Sequence, residues 1–346
     1  MPGLPPARLA ADGTAYDACM SGAARRAQCL LPLLAARGWE PLLFVAERSA
    51  PAFTGLPGVE IVALPVPAHP APLRSALAGP RMAEACRQRN IRVFLTETPP
   101  APRGVPFVLT VHDARLWDAP RLLSPGRRWW LRRTLPAALR AAAAVVTPSE
   151  ATAARLRAHL PGIAPLVVRN GADHFPPPAQ EEVRERFLLA VGPWDRRKNL
   201  ELLLRAHALL QPPLPLLLAG EPGIRLPAGV HAVAADDARL VDLYRRAAVT
   251  VCPSAFEGFD LPLAEALAQG CPVAASDIPA HREVGGDAAR YFAPDDPARA
   301  LEVIRELLAH PGGAEPRLAR ALAFPWQEAA QALDALLRRQ LGAGRR

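Results

Sequence analysis

The amino-acid sequence predicts an α/β protein built from two doubly wound domains, each organised around a parallel sheet. Short apolar segments of strand length alternate with segments of helical spacing along the chain. This pattern is typical of parallel sheets that are covered by helices on both faces. The alternation runs twice, and the proline-rich joint Pro176-Pro177-Pro178 separates the two series. Ligands of such domains are expected at the carboxyl ends of the strands and in the cleft between the domains.

The first series contains candidate strands separated by helical segments such as Ala23–Arg37 and Arg74–Gln88. Its strands are Arg8–Ala11, Pro41–Ala46, Val59–Leu64, Ile91–Thr96, Phe107–Val111, Ala143–Thr147 and Leu166–Val168. The strands of the second series are Phe187–Val191, Leu214–Ala219, Val230–Ala234, Val249–Cys252, Pro272–Ala275 and Arg290–Phe292. These patterns predict a first domain over residues 1–172 and a second over 173–325. Residues 326–346 are predicted to form a C-terminal helix and tail, with the helix crossing back to the first domain.

Length and composition narrow the class of protein. A chain of 346 residues suits two domains of ordinary size better than one. No apolar run approaches the roughly 18 residues of a membrane span, and the first residues lack the layout of a signal peptide. The formal charge of +8 fits an acidic partner: a nucleotide phosphate, a nucleic acid or an anionic membrane face. The cysteines, which are scattered and odd in number, indicate reduced, buried thiols in a cytosolic protein; they are Cys19, Cys29, Cys86, Cys252 and Cys271.

The only lysine of the chain, Lys198, lies where a strand turns into a helix. Gly192 follows the apolar strand, and the cations Arg196, Arg197 and Lys198 precede an apolar-periodic helix. Cations at such a turn suit a phosphate group, because the start of a helix adds free N–H groups and a partial positive charge. A solvated loop that carries a lysine by chance is the alternative, and this segment alone does not decide between them.

A second informative segment runs from Cys252 to Gly270. Pro262 suits the first turn of a helix and Gly270 the position after its end, so Glu257 lies in the preceding loop and Glu265 early in the helix. Carboxylates near the end of one strand accept hydrogen bonds from sugar hydroxyls. Taken singly, Glu265 is better explained as a partner of the helix dipole and Glu257 as a surface residue.

Together the motifs resemble those of retaining glycosyltransferases with the GT-B fold, especially family 4. Glu257 and Glu265 form the Glu, seven residues, Glu signature of that family. Further blocks match in order and spacing over most of the chain. They are Thr110-Val111-His112-Asp113, Val168-Arg169-Asn170-Gly171-Ala172-Asp173, Val191-Gly192 through Arg197-Lys198-Asn199-Leu200, Gly270-Cys271-Pro272-Val273-Ala274-Ala275-Ser276-Asp277, and Glu283-Val284-Gly285-Gly286-Asp287-Ala288-Ala289.

The resemblance implies two Rossmann-like domains facing a central cleft, with the nucleotide-diphosphate sugar on the second domain and the acceptor on the first. The implied catalytic residues are His112, Arg197, Lys198 and Glu257. The implied donor-binding residues are Gly192, Arg197, Lys198, Asn199, Glu257, Gly258, Phe259, Asp260, Leu261 and Glu265. The implied acceptor-binding residues are Gly22 and Asp113, and Asp113 could instead orient the ring of His112.

Each implied role has a chemical purpose. Arg197 and Lys198 would hold the diphosphate and stabilise its charge as it leaves, which favours the transition state over the ground state. Glu265 would bind the donor ribose, Glu257 and the amides of residues 258–261 would meet the sugar and the distal phosphate, and His112 would lie near the reacting end of the sugar. The sequence contains no Asp-x-Asp pair to hold a metal against a diphosphate. The resemblance implies retention by front-face attack, with the departing phosphate taking the acceptor proton and without a cofactor.

The sequence departs from the family pattern at three places. Pro193 follows Gly192 where many relatives have arginine, so Arg196 or Arg197 must supply that charge. Asp260 replaces a common glycine; aspartate tolerates left-handed backbone, but it brings an anion close to a phosphate. The segment around Gly22 stands where relatives often have paired glycines, and Gly22 is expected beside the acceptor or the donor phosphate.

Two weaker signals remain open. The segment Arg121–Arg140 carries six arginines, no acid, and the pair Trp129-Trp130. It could lie on an anionic membrane surface, or be a solvated helix whose tryptophans pack on the first domain. His281 follows a strand and could touch the base or ribose, while Asp277 could equally cap a helix.

The sequence therefore predicts a metal-independent, retaining hexosyltransferase that uses a GDP- or UDP-hexose and a glycan, lipid-linked or small-molecule acceptor. It is expected to be cytoplasmic, with or without peripheral contact at the inner face of the membrane, and not to bind nucleic acid. A bacterial surface or storage glycoconjugate is the expected product. An epimerase or phosphorylase acting on sugar phosphates, or a non-catalytic protein of the same fold, are the alternatives.

Overall fold

The computed structural model describes residues 7–16, 21–67, 69–179 and 183–343. The chain divides into two compact units. Unit 1 comprises Met1–Arg169 together with Trp326–Arg346, and unit 2 comprises Asn170–Pro325. In the part of the chain that the structure describes, no helix is both long and apolar enough to cross a membrane.

Unit 1 contains a parallel seven-stranded sheet with the order β3-β2-β1-β4-β5-β6-β7. The strands are β1 (Ala7–Gly13), β2 (Trp39–Ala46), β3 (Glu60–Leu64), β4 (Val93–Thr96), β5 (Phe107–Thr110), β6 (Ala144–Thr147) and β7 (Leu166–Val167). The helices are α1 (Gly22–Ala35), α2 (Ala71–Gln88), α3 (Arg115–Asp118), α4 (Pro125–Ala141), α5 (Glu150–His159) and the last helix of the chain, α12 (Trp326–Ala343). Short 3₁₀ turns span Glu47–Phe53 and Pro120–Leu122.

Unit 2 contains a parallel six-stranded sheet with the order β10-β9-β8-β11-β12-β13. The strands are β8 (Glu185–Val191), β9 (Leu216–Ala219), β10 (Val230–Val233), β11 (Ala247–Cys252), β12 (Val273–Ser276) and β13 (Arg290–Phe292). The helices are α6 (Leu200–Ala208), α7 (Asp237–Arg246), α8 (Leu261–Ala268), α9 (Pro279–Gly285), α10 (Pro297–Ala309) and α11 (Glu315–Ala321). Short 3₁₀ turns span Arg196–Lys198 and Gly286–Ala288.

The predicted fold class is confirmed, because both sheets are parallel and doubly wound. Central strands are apolar throughout, since helices cover both of their faces; Leu188, Leu189 and Ala190 of β8 are fully buried. The structure also gives α3 and several boundaries that differ from the predicted ones by two residues or so. Such shifts are expected because apolar patterns define the middle of an element better than its ends.

The predicted return of the last helix to the first domain is also confirmed. Helix α12 packs against α1, and Leu337 on its inner face is fully buried. The indole of Trp39 donates a hydrogen bond of 2.6 Å to Asp334 Oδ1, and Arg338 Nη2 donates one of 2.8 Å to the carbonyl of Arg37.

In each sheet the chain first adds strands on one side of the first strand and then continues on its other side. We expect the functional residues at the carboxyl ends of the strands where this change of direction occurs. In unit 2 the chain moves outward from β8 to β10 and then returns to β11 on the other side of β8. In unit 1 the same reversal falls between β1 and β4. The loops that leave two such strands diverge to opposite faces, so a crevice opens at their carboxyl ends.

Candidate functional site

In unit 2 the sole lysine lies at the reversal between β8 and β11. A 3₁₀ turn places Lys198 after β8, and Asp195 Oδ1 fixes this turn by accepting hydrogen bonds from the N–H groups of Arg197 (3.0 Å) and Lys198 (3.3 Å). Asn199 then adopts left-handed backbone (φ +53°), and its Nδ2 donates to the carbonyl of Pro294 at 2.7 Å. The side chain of Asn199 therefore holds the loop.

The cations and carboxylates form a cluster, which we call the Lys198 cluster: Arg197, Lys198, Glu257, Asp260 and His281. Lys198 Nζ lies 2.7 Å from Asp260 Oδ1 and 3.0 Å from Glu257 Oε1. Arg197 also pairs with Glu257. Burial lowers the pKa of Lys198, but the negative charges of Asp260 and Glu257 outweigh it, so the net shift is upward. The ammonium therefore stays charged although its side chain is only 5% exposed.

Glu257 is not the surface residue that its sequence context favoured. Its side chain is 7% exposed, and Ser254 Oγ donates a hydrogen bond of 2.9 Å to its Oε1. This contact comes from the loop that leaves β11. The two glutamates of the signature are thus both buried, where a carboxylate requires partners.

Asp260 takes the left-handed backbone that sequence reasoning anticipated (φ +76°), and it precedes the first turn of α8. Its side chain does not cap the helix but pairs with Lys198, and His281 Nε2 lies 3.0 Å from its Oδ2. Burial tends to raise the pKa of Asp260, but the charge of Lys198 and the contact with His281 reverse this and lower it. The carboxylate is therefore ionised.

His281 occupies a different place from the one suggested by the sequence. It lies in α9, its side chain is fully buried, and its ring contacts Asp260 and Ser276. A fully buried ring cannot reach a base or ribose from this position. Asp277 pairs with Arg282 at 2.7 Å and makes no helix cap, because Ile278 is the N-cap residue of α9.

Glu265 is held by two side chains rather than by the helix dipole. Tyr244 donates a hydrogen bond of 2.9 Å to Oε2, and His174 Nε2 lies 3.1 Å from Oε1. Burial, followed by the charge of Glu265, raises the pKa of Tyr244, so the phenol remains a donor. Neither Tyr244 nor His174 stood out in the sequence, since both depend on contacts between distant segments.

The remaining donor-site residues shape the backbone. A side chain at position 192 would meet the indole of Trp194 at 2.7 Å, so only glycine admits this ring. Trp194 Nε1 is buried and has no hydrogen-bond partner among the described residues. Phe259 packs edge-on against Phe324 at 5.6 Å, and Leu261 is buried. These two apolar side chains anchor the loop on both sides of Asp260, and Gly258 is itself buried.

Unit 1 carries its own polar cluster, the Glu97 cluster, at the carboxyl ends of β1, β4 and β5. His112 Nε2 lies 2.9 Å from Glu97 Oε2, and the hydroxyl of Tyr16 donates to the same oxygen at 3.2 Å. Asp12 Oδ2 accepts a hydrogen bond of 3.0 Å from Thr98 Oγ. Burial and the charge of Glu97 raise the pKa of Tyr16, so this phenol is also neutral.

Glu97, not Asp113, lies against the ring of His112. Both carboxylate oxygens of Asp113 instead bind Arg115, with contacts of 2.9 Å to its N–H and to its Nε. Gly22 begins α1 after Ser21, whose Oγ accepts a hydrogen bond of 3.2 Å from the N–H of Ala24. Sequence reasoning missed Glu97, although its position at the end of β4 beside the reversal was a usable signal.

Four of the five cysteines lie in the part of the chain that the structure describes. Cys86, Cys252 and Cys271 are buried as predicted, whereas Cys29 is only partly buried; Cys19 lies outside the described residues. Burial and the charge of Asp260 raise the pKa of the Cys252 thiol. Among the described residues, no group of His, Cys, Asp and Glu side chains could hold a metal ion.

Comparison with known proteins agrees with this geometry. The fold and the clusters at the strand ends define a glycosyltransferase with two Rossmann-like domains. The model "Glycosyltransferase Family 4" matches residues 20–174, and the model "Glycosyl transferases group 1" matches residues 185–310. The chain belongs to glycosyltransferase family 4, whose members use nucleotide-sugar donors.

Individual relatives support the same assignment. The O-antigen chain mannosyltransferase B of Escherichia coli is 28% identical over 254 residues, which is 64% of this chain and 67% of the relative. The serotype-specific mannosyltransferase WbdA of Escherichia coli is 35% identical over 98 residues, which is 28% of this chain and only 12% of that protein. A structure of sucrose-phosphate synthase from Thermosynechococcus elongatus has a TM-score of 0.78 at 21% identity, covering 97% of this chain and 100% of that chain. This last likeness concerns the fold alone.

Proposed function

We propose that this chain is a retaining, metal-independent hexosyltransferase that transfers mannose from a nucleotide-diphosphate sugar to a glycan or lipid-linked acceptor. The observation that carries the proposal is the buried ammonium of Lys198 at the reversal between β8 and β11. The mannosyl specificity rests on the names of the two relatives, both of which are mannosyltransferases. GDP-mannose is therefore the first donor to test, with UDP-hexoses next.

In the proposed reaction, Arg197 and Lys198 bind the diphosphate of the donor. The bond between the anomeric carbon and the phosphate oxygen breaks, and the acceptor oxygen forms the new bond on the same face of the sugar. The acceptor proton passes to the departing phosphate oxygen. The two cations act most strongly on the leaving group, because its negative charge is greatest after the bond has broken. Glu257 would bind a sugar hydroxyl, since its carboxylate can accept further hydrogen bonds.

We assign the donor ribose to Glu265. Two protein partners already fix its carboxylate, so it is oriented before a ligand arrives, and an oriented acceptor loses little freedom on binding. The amides of residues 258–261 are proposed to meet the sugar and the distal phosphate. Gly192 would let a phosphate approach the backbone, because it carries no side chain.

We assign the acceptor to unit 1, where the Glu97 cluster lies. His112 would contact the sugar and the attacking hydroxyl, with Glu97 fixing its ring; Gly22 and Asp113 are proposed to line the acceptor position. The carboxylate of Glu97 and the phenol of Tyr16 offer one acceptor and one donor to sugar hydroxyls. These assignments follow the division proposed for the chain, residues 1–172 for the acceptor and 173–325 for the donor.

The proposed donor site is tested by thermal shift with the diphosphates of uridine, guanosine, adenosine, cytidine and thymidine, each with a metal chelator. We expect GDP to raise the melting temperature by a few degrees at a hundred times its dissociation constant, since binding then adds about 2.7 kcal/mol. A matched nucleoside without phosphates is the control. Failure of all five diphosphates at millimolar concentration would refute the donor site.

Product analysis separates the proposed reaction from its alternatives. A transferase releases nucleoside diphosphate in proportion to acceptor glycosylated, whereas a phosphorylase incorporates inorganic phosphate and an epimerase returns an isomeric sugar nucleotide. A non-catalytic protein would bind the nucleotide and release nothing from the donor.

The exposed face of α4 supports a proposal about location. Trp129 is 51% exposed, the guanidinium of Arg133 lies 4.6 Å from the centre of its ring, and no acidic residue occurs in α4. Trp130 is partly exposed, so the two tryptophans are not both buried against the domain as the alternative required. We propose a cytoplasmic protein in which α4 touches the inner face of the membrane, because arginine and an exposed indole both favour an anionic interface.

Binding to lipid vesicles is the check on this location. Wild type is expected to sediment with vesicles that contain phosphatidylserine, and Trp129→Ala combined with Arg132→Gln should reduce the bound fraction several-fold, since each basic residue near the surface contributes about 1 kcal/mol. The control is Arg239→Gln, which removes an exposed arginine from unit 2. Equal binding to uncharged vesicles would contradict an electrostatic contact.

A further inference from the structure

The hydrogen-bond partners of His281 determine where its protons lie. Nδ1 lies 2.9 Å from the carbonyl oxygen of Ser276 and 3.1 Å from Ser276 Oγ. The hydroxyl of Ser276 donates its own proton to the carbonyl of Ser254, so toward the ring it offers only a lone pair. A carbonyl oxygen also offers only lone pairs. Nδ1 must therefore carry a proton.

The other ring nitrogen faces a second acceptor. Nε2 lies 3.0 Å from Asp260 Oδ2, while Oδ1 of the same carboxylate accepts from Lys198 at 2.7 Å. Without a proton between Nε2 and Oδ2, two lone pairs would oppose each other in a place that water does not reach, since both side chains are at most 1% exposed. Because Asp260 is ionised beside Lys198, that proton belongs to the ring. His281 is then an imidazolium.

The charge of this ring changes the charge of the whole Lys198 cluster. Arg197, Lys198 and the protonated His281 face the carboxylates of Glu257 and Asp260, and Asp195 Oδ1 lies 3.5 Å from Arg197 Nε, so the positive and negative charges balance. Without the proton on His281, one net negative charge would remain. A net negative charge is unfavourable at a diphosphate site, because it repels the phosphates.

We propose that His281 is a positioning residue that acts through Asp260: as an imidazolium it offsets the charge of Asp260, so that Lys198 stays fixed without leaving the cluster a net negative charge that would repel a nucleoside diphosphate. This inference rests on the proposed donor site. It also explains how the chain accommodates an aspartate at position 260, since His281 supplies the compensating cation. Asp260 fixes the ammonium, and His281 restores the charge that Asp260 removes.

The proposal predicts an unusual order of affinities among four proteins. His281→Gln keeps a donor toward Asp260 but removes the charge, so the dissociation constant for GDP should rise about tenfold. Asp260→Gly removes the carboxylate that fixes Lys198 and leaves a neutral ring, so the net charge is unchanged and the affinity should fall only because the ammonium is no longer held in place. In the Asp260→Gly background, His281→Gln should have no further effect. If His281 served only to pack the interior, His281→Gln would destabilise the folded protein both with and without Asp260.

The experiment is calorimetric titration of GDP into these four proteins, with His310→Gln, at an exposed histidine, as the matched control. If the nucleotide preference differs, the diphosphate that stabilises wild type replaces GDP. Equal affinity of wild type and His281→Gln, while Lys198→Ala fails to bind, would overturn this inference and leave the donor site intact. Absence of binding to wild type for every diphosphate would instead overturn the donor site and this role with it.

A second measurement does not depend on any ligand. Nitrogen-15 spectra of histidine-labelled protein report whether each ring nitrogen carries a proton, and Asp260→Asn assigns the His281 signal by replacing the carboxylate that faces it. Both nitrogens of His281 are expected to be protonated at neutral pH in wild type. An unprotonated Nε2 would refute the proposal even if His281→Gln failed to fold.

Discussion

Replacement of Lys198 by alanine is expected to abolish the stabilisation of the protein by nucleoside diphosphates and to lower the rate of sugar transfer by about a hundredfold or more. Fixed cations at a leaving group typically contribute a factor of this size. The chain contains no other lysine, so no second ammonium is available to replace the one that lies beside Glu257 and Asp260. Thermal shift and steady-state transfer assays measure the two effects.

The substitution Lys198→Ala is also expected to destabilise the fold. A second variant separates this loss of stability from the loss of nucleotide binding. Loss of Lys198 leaves the buried carboxylate of Asp260 without its ammonium, which costs about 3–5 kcal/mol of unfolding free energy when one partner of a buried pair is removed. Adding Asp260→Gly removes that carboxylate, so the double variant should regain most of the lost stability. It should still fail to bind nucleotide. A double variant that binds GDP as wild type does would exclude Lys198 from the donor site.

Replacement of His112 by alanine is expected to lower the turnover number by about a hundredfold while leaving the affinity for nucleoside diphosphates unchanged. His112 belongs to unit 1, whereas the proposed diphosphate ligands belong to unit 2, so the two effects can be measured separately. Glu97→Gln should give a smaller loss, of about tenfold, because it retains an oxygen near the ring but loses the charge. Turnover number, KM and calorimetric affinity for GDP are the quantities to compare.

A control variant in unit 1 tests whether the loss of turnover is specific to substitutions in the Glu97 cluster. His159 pairs with Asp118 at 2.6 Å and not with a residue of the Glu97 cluster, so His159→Gln should retain full turnover. If His112→Ala instead weakened GDP binding and transfer by the same factor, His112 would be a donor ligand and its proposed role would be wrong.

The sheets could be predicted from sequence because their signal is local. A strand such as β8 is buried on both faces, so its apolar residues are continuous and visible without any partner. The order of the strands was not predicted, although parallel strands joined by helices permit few arrangements. That order brings the loop after β8 beside the loop after β11, and it therefore brings Lys198 near Glu257.

The partners within each cluster could not be predicted in the same way. Lys198 and Asp260 are 62 positions apart, and Glu265 and His174 are 91 apart. Whether two such side chains meet depends on rotamers and on distances of a few ångströms, which a periodic pattern does not encode. Asp260 illustrates the limit: its left-handed backbone was indicated by the glycine that the family commonly has at this position, but its contact with His281 was not predictable.

Unit 1 is made from both ends of the chain, and unit 2 is a continuous segment inserted into it. During synthesis the ribosome therefore releases all of unit 2 before it releases α12. Until then the part of α1 that packs against α12 has no cover, and the indole of Trp39 lacks Asp334 as its acceptor. The domain that begins to form first is thus the one completed last, and the nascent chain exposes apolar surface of unit 1 for almost the whole of its elongation.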